Sequence, residues 1–170
     1  MTHMTQAELL AEQLVDTRDW TLKLIADLSG DDWHFQPAAG LAHPLWLCGH
    51  LASAQDSLIH TRCLGGGVLA STFKGHFPLG VPVKSCQEYD YPPVKQVLGV
   101  MEDVQAKTIA AVRGMDDDFL AEPAFAADGK TRHPHYKDKR GAVSHSVRHE
   151  AFHAGQLATV RRLLGKPFLR

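Results

Sequence analysis

Apolar residues recur at alternating steps of three and four along four stretches of this chain, the spacing of one helix face. The first stretch opens with Thr5 and Glu8 in capping-box register, so each side chain reaches a free backbone N–H at the helix start. Leu10, Leu14, Thr17, Thr21, Leu24 and Leu28 fall on one face, and Gly30 is placed to end the helix. A short connection with Trp33 and Pro37 leads to a second helix. Its start is expected at Pro44, where a missing N–H costs nothing. Leu47, Leu51, Ala54 and Leu58 form its stripe, and the run Gly65 to Gly67 stops it. A third helix follows Pro92 and Pro93, with Val94, Val97, Met101, Val104, Thr108 and Ala111 in line and Gly114 at its end. The last helix is predicted from about Ala142 to Leu164, closed by Gly165 with Pro167 beyond. Arg161 and Arg162 in its last turns suit the negative end of the helix dipole.

Residues 65–91 and 116–140 show no sustained period, and loops of that length in a small domain are usually functional or mobile. No alternating strand pattern, internal repeat or low-complexity tract is present. These elements predict an all-α four-helix bundle with two long connections that permit crossovers, residues 1–170 forming a single domain.

Composition narrows the function classes. Lys and Arg (18) nearly balance Asp and Glu (19), and a net charge of −1 provides no footprint for nucleic acid or an anionic membrane. The basic run Lys137 to Arg140 reads as a solvated loop. No apolar run approaches the roughly 18 residues of a membrane span, and no secretory leader is visible. Cys48, Cys63 and Cys86 form no CxxC pair and leave one over in any disulfide scheme. That pattern points to reduced thiols in a cytoplasmic protein.

Histidine, at 11 residues, is the outlier. His145, His149 and His153 lie four apart, and each step of four advances only about 40° around a helix. The same line continues through Gln156, Val160 and Leu163, which is the face expected to be buried. Buried imidazoles need partners. A metal ion supplies one and requires the unprotonated nitrogen. His149 and His153 can reach one ion, and a third ligand is expected from a facing helix. His50, between Leu47 and Leu51, is the best candidate; the alternative for it is a core histidine bonded to a carbonyl. His60 lies further round, His43 precedes the helix, and His133 and His135 sit in a polar loop. His145, about 80° from His153, reads as a pocket-lining residue. Gln156 either supports the site or is a polar edge residue.

Residues 149–153 spell His-Glu-Ala-Phe-His, a literal HExxH. Zinc proteases of this kind take a third ligand downstream, and AGQLATVRRLLGKPFLR contains no His, Asp or Glu. The protease reading is therefore excluded, and Glu150 reads as a solvated helix glutamate.

GHLA at Gly49 to Ala52, taken with HxxxHxxxHAGQ from His145 to Gln156, resembles the DinB-like superfamily, the DinB/YfiT metalloprotein bundles. The likeness extends to LSGDDWHFQPAAG before the second helix and to RRLLGKP at the end. The resemblance implies a bundle of unusual helix order. It also implies a divalent metal, zinc or nickel, on His50, His149 and His153, with open positions for water or substrate, and a homodimer. Ala154 departs from the pattern, since many relatives have arginine there, so an anion contact made by that arginine is not carried over. The family implies no single reaction. Some members resemble thiol-dependent transferases or isomerases that hold a low-molecular-weight thiol as thiolate. Others are similar to amidohydrolases of small thiol conjugates.

The reading favoured here is a metal-dependent enzyme acting on a small molecule. Thiol-dependent S-transfer is preferred because no carboxylate base is identifiable. The alternatives are a metal-dependent hydrolase of small thiol conjugates, a non-catalytic metal-binding or stress-related module, and a structural helical dimer. No catalytic residue is assigned.

Overall fold

The computed structural model describes residues 4–169. In chain order the elements are α1 (Gln6–Ile25), a 3₁₀ turn (Gly30–His34), α2 (Pro44–Gln55), a π-helical turn (Asp56–Thr61), α3 (Arg62–Leu64), α4 (Ser71–Gly75), α5 (Val94–Arg113), α6 (Asp117–Ala121) and α7 (Lys139–Leu163). Among the described residues the only β pairing is two isolated bridges, Gly40 with Val83 and Phe125 with Arg132. None of these helices is long and apolar enough to cross a membrane.

Helix α1 packs against α5 and α7, and α2 packs against the same two. The first two long helices therefore share one diagonal of the bundle, and α5 and α7 share the other. The connections that cross the bundle are 26–43 and 114–138. The stretch 65–93, expected as a possible crossover, instead joins neighbours. It is a packed cover: Phe73 and Phe77 are buried in the same cluster as α2, and the Val83 N–H bonds to the Gly40 carbonyl at 3.0 Å. Asp56 ties its near end through the Val68 N–H at 2.6 Å and an ion pair with Lys74.

Most helix ends lie where the residues demand. Thr5 and Glu8 make the capping box, with bonds of 2.7 and 3.1 Å. Pro44 opens α2, and Gly65 closes α3 in the left-handed region at φ 80°. Helix α1, however, stops at Ile25 rather than near Gly30, because the chain must turn to bury Leu28 and Trp33. The Trp33 indole N–H then donates to the Leu28 carbonyl at 3.2 Å. Helix α7 starts earlier than the apolar pattern suggests. Asp138 caps it by accepting the Gly141 N–H at 2.8 Å, and Lys139 is buried against Glu122 and the Phe119 ring.

The inward face of α7 also differs from the expected histidine line. It carries Ala142, Val143, Ser146, Glu150, His153, Ala154, Leu157, Val160 and Arg161, while Gln156 and Leu163 are exposed. The line His145–His149–His153 borders that face and is not its centre. Glu150, expected in solvent, is only 3% exposed. Arg18, also 3% exposed, lies among the inward residues of α1.

These two charges form a bidentate pair, with Arg18 Nε donating to Glu150 Oε1 at 2.6 Å and Nη2 to Oε2 at 3.0 Å. The remaining donors of Arg18 reach the Met101 carbonyl at 3.0 Å and Gln55 Oε1 at 3.2 Å. Gln55 passes the chain to Gln105 at 2.6 Å, and Gln105 returns it to the Leu14 carbonyl at 3.2 Å. All four long helices contribute to this polar layer. One apolar cluster, with Trp46, Phe77 and Leu157, lies on one side of it. A second, with Leu14, Ile59 and Val143, lies on the other.

Removing one partner leaves the other as an uncompensated buried charge. Arg18→Leu or Glu150→Leu is expected to lower unfolding free energy by about 3–5 kcal/mol. The double variant should recover much of that loss. Urea unfolding of the four proteins checks both statements.

Candidate metal centre

His50 projects from the middle of α2, one turn after Trp46, whose indole stacks on it with centroids 4.8 Å apart and planes 15° apart. The residue before it must be glycine for a steric reason: a Cβ on Gly49 would fall 2.1 Å from the Phe77 ring. The 65–93 cover thus presses directly on the turn of α2 that carries His50. From α7, His149 and His153 are presented one turn apart.

The three rings meet through their Nε2 atoms. His50 Nε2 lies 3.1 Å from His149 Nε2, and His153 Nε2 lies 3.2 Å from the same atom. All three donor atoms fall within 4.8 Å of one another. Nitrogens sharing one tetrahedral ion at roughly 2.0–2.1 Å stand roughly 3.3 Å apart, so the spacing fits a divalent cation with little movement. The donor chemistry fits as well. His153 Nδ1–H donates to Gln156 Oε1 at 2.7 Å, which leaves its Nε2 lone pair facing the other rings. Three imidazoles meeting nitrogen to nitrogen cannot satisfy one another, because one proton serves one contact. A single cation accepts all three lone pairs.

The electrostatics keep the rings neutral. Burial, reinforced by His153 and His149, pushes His50 down to about 3. Burial, then His153 and His145, pushes His149 down to about 4. His153 is lowered by burial, with the Gln156 bond and the Glu150 charge working against it. His50 and His153 are 3% and 8% exposed, while His149 is half-buried, so the centre opens on the His149 side.

The other described histidines lie outside the cluster. His145 faces His149 with centroids 6.0 Å apart and Tyr136 at 5.4 Å, on the flank of the cluster. His60 is buried and bonded to the Thr108 hydroxyl at 3.2 Å. His43 caps α2 by accepting the Trp46 N–H at 3.1 Å. His133 accepts the His135 and Tyr136 N–H groups at 3.1 Å each and shapes a turn. Glu150 is turned away from the three rings into its pair with Arg18. A groove of about 1010 Å³ between α1 and α5, lined by Val15, Leu22, Leu98 and Ile109, does not include the three histidines.

Arg18, Gln55 and Gln105 carry the support of this site and were not singled out from the sequence. A signal existed for the first: Arg18 follows Leu14 by four and precedes Thr21 by three, a charge set inside an apolar stripe.

In the unfolded chain these imidazoles titrate near 6.5, whereas folded His50 and His149 take protons only near about 3 and about 4. As pH falls the unfolded state therefore binds protons first. Metal-free protein should be fully stable above pH 6.5 and lose stability progressively down to about 3, as read by urea midpoints across that range. Gly49→Ala should cost about 1–3 kcal/mol in the same assay, because the Phe77 ring must shift out of a filled core.

Comparison with known proteins agrees with this architecture. No curated protein matches the chain. A crystal structure of a conserved protein of a locus from Enterococcus faecalis is similar over 96% of this chain and 100% of its own, with a TM-score of 0.64 and 17% identity, which shows a shared fold. The family model for the DinB superfamily matches residues 13–157, which include the polar layer on α1, α2, α5 and α7 and all three converging histidines. The chain belongs to the DinB superfamily.

Proposed function

We propose that this protein holds one divalent metal ion on His50, His149 and His153 and acts on a small molecule as a thiol-dependent S-transferase. The observation that carries the reading is the convergence of three neutral Nε2 atoms, 3.1 and 3.2 Å apart, with the fourth side open past half-buried His149. Three neutral protein ligands leave a position for an exogenous one. Zinc and nickel both suit an imidazole set. A bound ion supplies positive charge that favours the deprotonated form of a thiol or water at the site.

The residues around the rings favour a thiol over water. Hydrolysis calls for a base beside the attacking water, and the one acid in the HEAFH segment is Glu150. Its two carboxylate oxygens are both taken by Arg18, at 2.6 and 3.0 Å. A thiol needs less help, since its ordinary pKa is near 8.5 and its anion is a strong nucleophile. In the transfer, sulfur forms a bond to an electrophilic carbon, the leaving group departs with its bonding pair, and the thiol proton passes to solvent. His50 and His153 stay fixed throughout, one against Trp46 and the other through Gln156.

Tag-free protein is expected to carry about one zinc or nickel ion per chain, as fits a single three-histidine site. His149→Ala should lose at least about tenfold in metal affinity, because two histidines and water replace three. Incubating metal-loaded protein with small thiols and alkylating electrophiles should yield the S-conjugate. Cleavage of S-conjugates without a second substrate would favour the hydrolase instead. Metal binding with no thiol response and no turnover would sink the enzyme reading.

A further inference from the structure

Beyond the three histidines, α2 and α7 continue side by side toward α3 and the segment that precedes α7. Arg62 opens α3, and its carbonyl accepts the Phe125 N–H at 2.8 Å, which tethers the 122–138 connection beside it. That connection delivers Tyr136. The Arg62 guanidinium lies 5.9 Å from the Tyr136 ring centroid, the Tyr136 ring lies 5.4 Å from His145, and His145 lies 6.0 Å from His149. His133 backs Tyr136 at 4.3 Å and holds the ring in place. A continuous aromatic and cationic wall thus runs from the open side of the histidine cluster to Arg62.

Arg62 is half-buried, and no carboxylate pairs with it among the described residues. Its Nε is buried without a hydrogen-bond acceptor among those residues. A buried donor left unmade is costly, and a guanidinium held without a counter-ion is more so. Three fully buried cations of the bundle are paired, Arg18 with Glu150, Lys139 with Glu122, and Arg161 with Asp27, whereas Arg140, half-buried like Arg62, shares its unbonded Nε. The charges bearing on both Tyr136 and His145 are Arg62 and Arg148, cationic in each case. This flank is electropositive, planar at its cationic end and apolar along the ring faces.

We propose that Arg62, with Tyr136 and His145, forms a subsite for the carboxylate end of an extended thiol whose sulfur lies at the histidine cluster. The planar guanidinium of an arginine presents paired N–H groups that match a carboxylate in a bidentate fork. The aliphatic or peptide-like middle of the ligand lies along the rings of Tyr136 and His145. Twelve residues of helix separate His50 from Arg62, so after allowing for the reach of the arginine side chain the ligand spans roughly 10–15 Å. The proposal deepens the thiol reading and rests on it for the position of the sulfur.

The test uses the full chain loaded with cobalt(II), whose visible spectrum reports a thiol at the metal, and measures dissociation constants by titration. The probes are ω-mercaptooctanoate, the matching ω-mercaptooctanol, and short mercaptopropionate. Wild-type protein should bind the long acid about tenfold more tightly than the alcohol, as one charge-assisted fork allows, and the short acid should gain nothing over a neutral thiol of its length. Arg62→Gln should erase the preference for the long acid while leaving alcohol binding and cobalt affinity unchanged. Lys95→Gln, on exposed α5 surface, should leave every constant unchanged. Equal binding of long acid and alcohol by wild-type protein overturns the subsite even if Arg62→Gln fails to fold. So does an unaltered preference in a folded Arg62→Gln. No spectral response to any thiol overturns the thiol reading itself, a result distinct from either.

Discussion

The buried pair of Arg18 and Glu150 sets the geometry on which the rest of the structure depends. Taking two charges out of water is expensive, and the cost is met only where every remaining donor finds an acceptor. Here that condition recruits the Met101 carbonyl, Gln55, Gln105 and the Leu14 carbonyl, from α1, α2 and α5, around the Glu150 that α7 supplies. An apolar core tolerates sliding and rotation of its helices at modest cost. This layer does not, because a shift of one residue on any helix breaks several short bonds. Glu150 sits directly after His149 and one turn before His153, so the rotation that buries its carboxylate also sets where both imidazoles point.

That coupling explains why the histidine cluster lies at the border of the buried face. With Glu150 directed to the centre of the bundle, His149 falls toward the edge and His153 just inside it. The site thereby gains what a fully interior one lacks: rings desolvated enough to stay neutral, with one side reachable from outside. His50 is supplied by the most enclosed segment of the chain, where every residue from Pro44 to Ala52 is buried. Its immobility comes from Trp46 on one side and from the Phe77 cover acting through Gly49.

The long connections divide the remaining work. The 65–93 stretch stiffens the back of α2 through Phe73, Phe77 and the Asp56 tether. The 114–138 crossover brings Tyr136 and His133 to the open flank of the cluster. One connection holds His50 still, and the other shapes what can approach it.

Much of this was legible in the residues. The 3.6-residue period of the four long stretches, Pro44 and Gly65 as boundaries, the Thr5–Glu8 box, and the i, i+4 pair of His149 and His153 all express local backbone physics, which a sequence states directly. The selection of His50 followed from its place on a second core helix. The sequence did not determine which bundle diagonal each helix takes, that Glu150 is buried, or that the inward face of α7 centres on Ser146, Glu150 and Leu157. Those outcomes depend on partners far away along the chain, Arg18 for Glu150 and Phe77 for Gly49. A charged residue in an apolar stripe is read as solvated until its counter-charge is known to stand opposite. Local periodicity decided where the helices are; the pairing of Arg18 with Glu150, 132 residues apart, decided how they are turned.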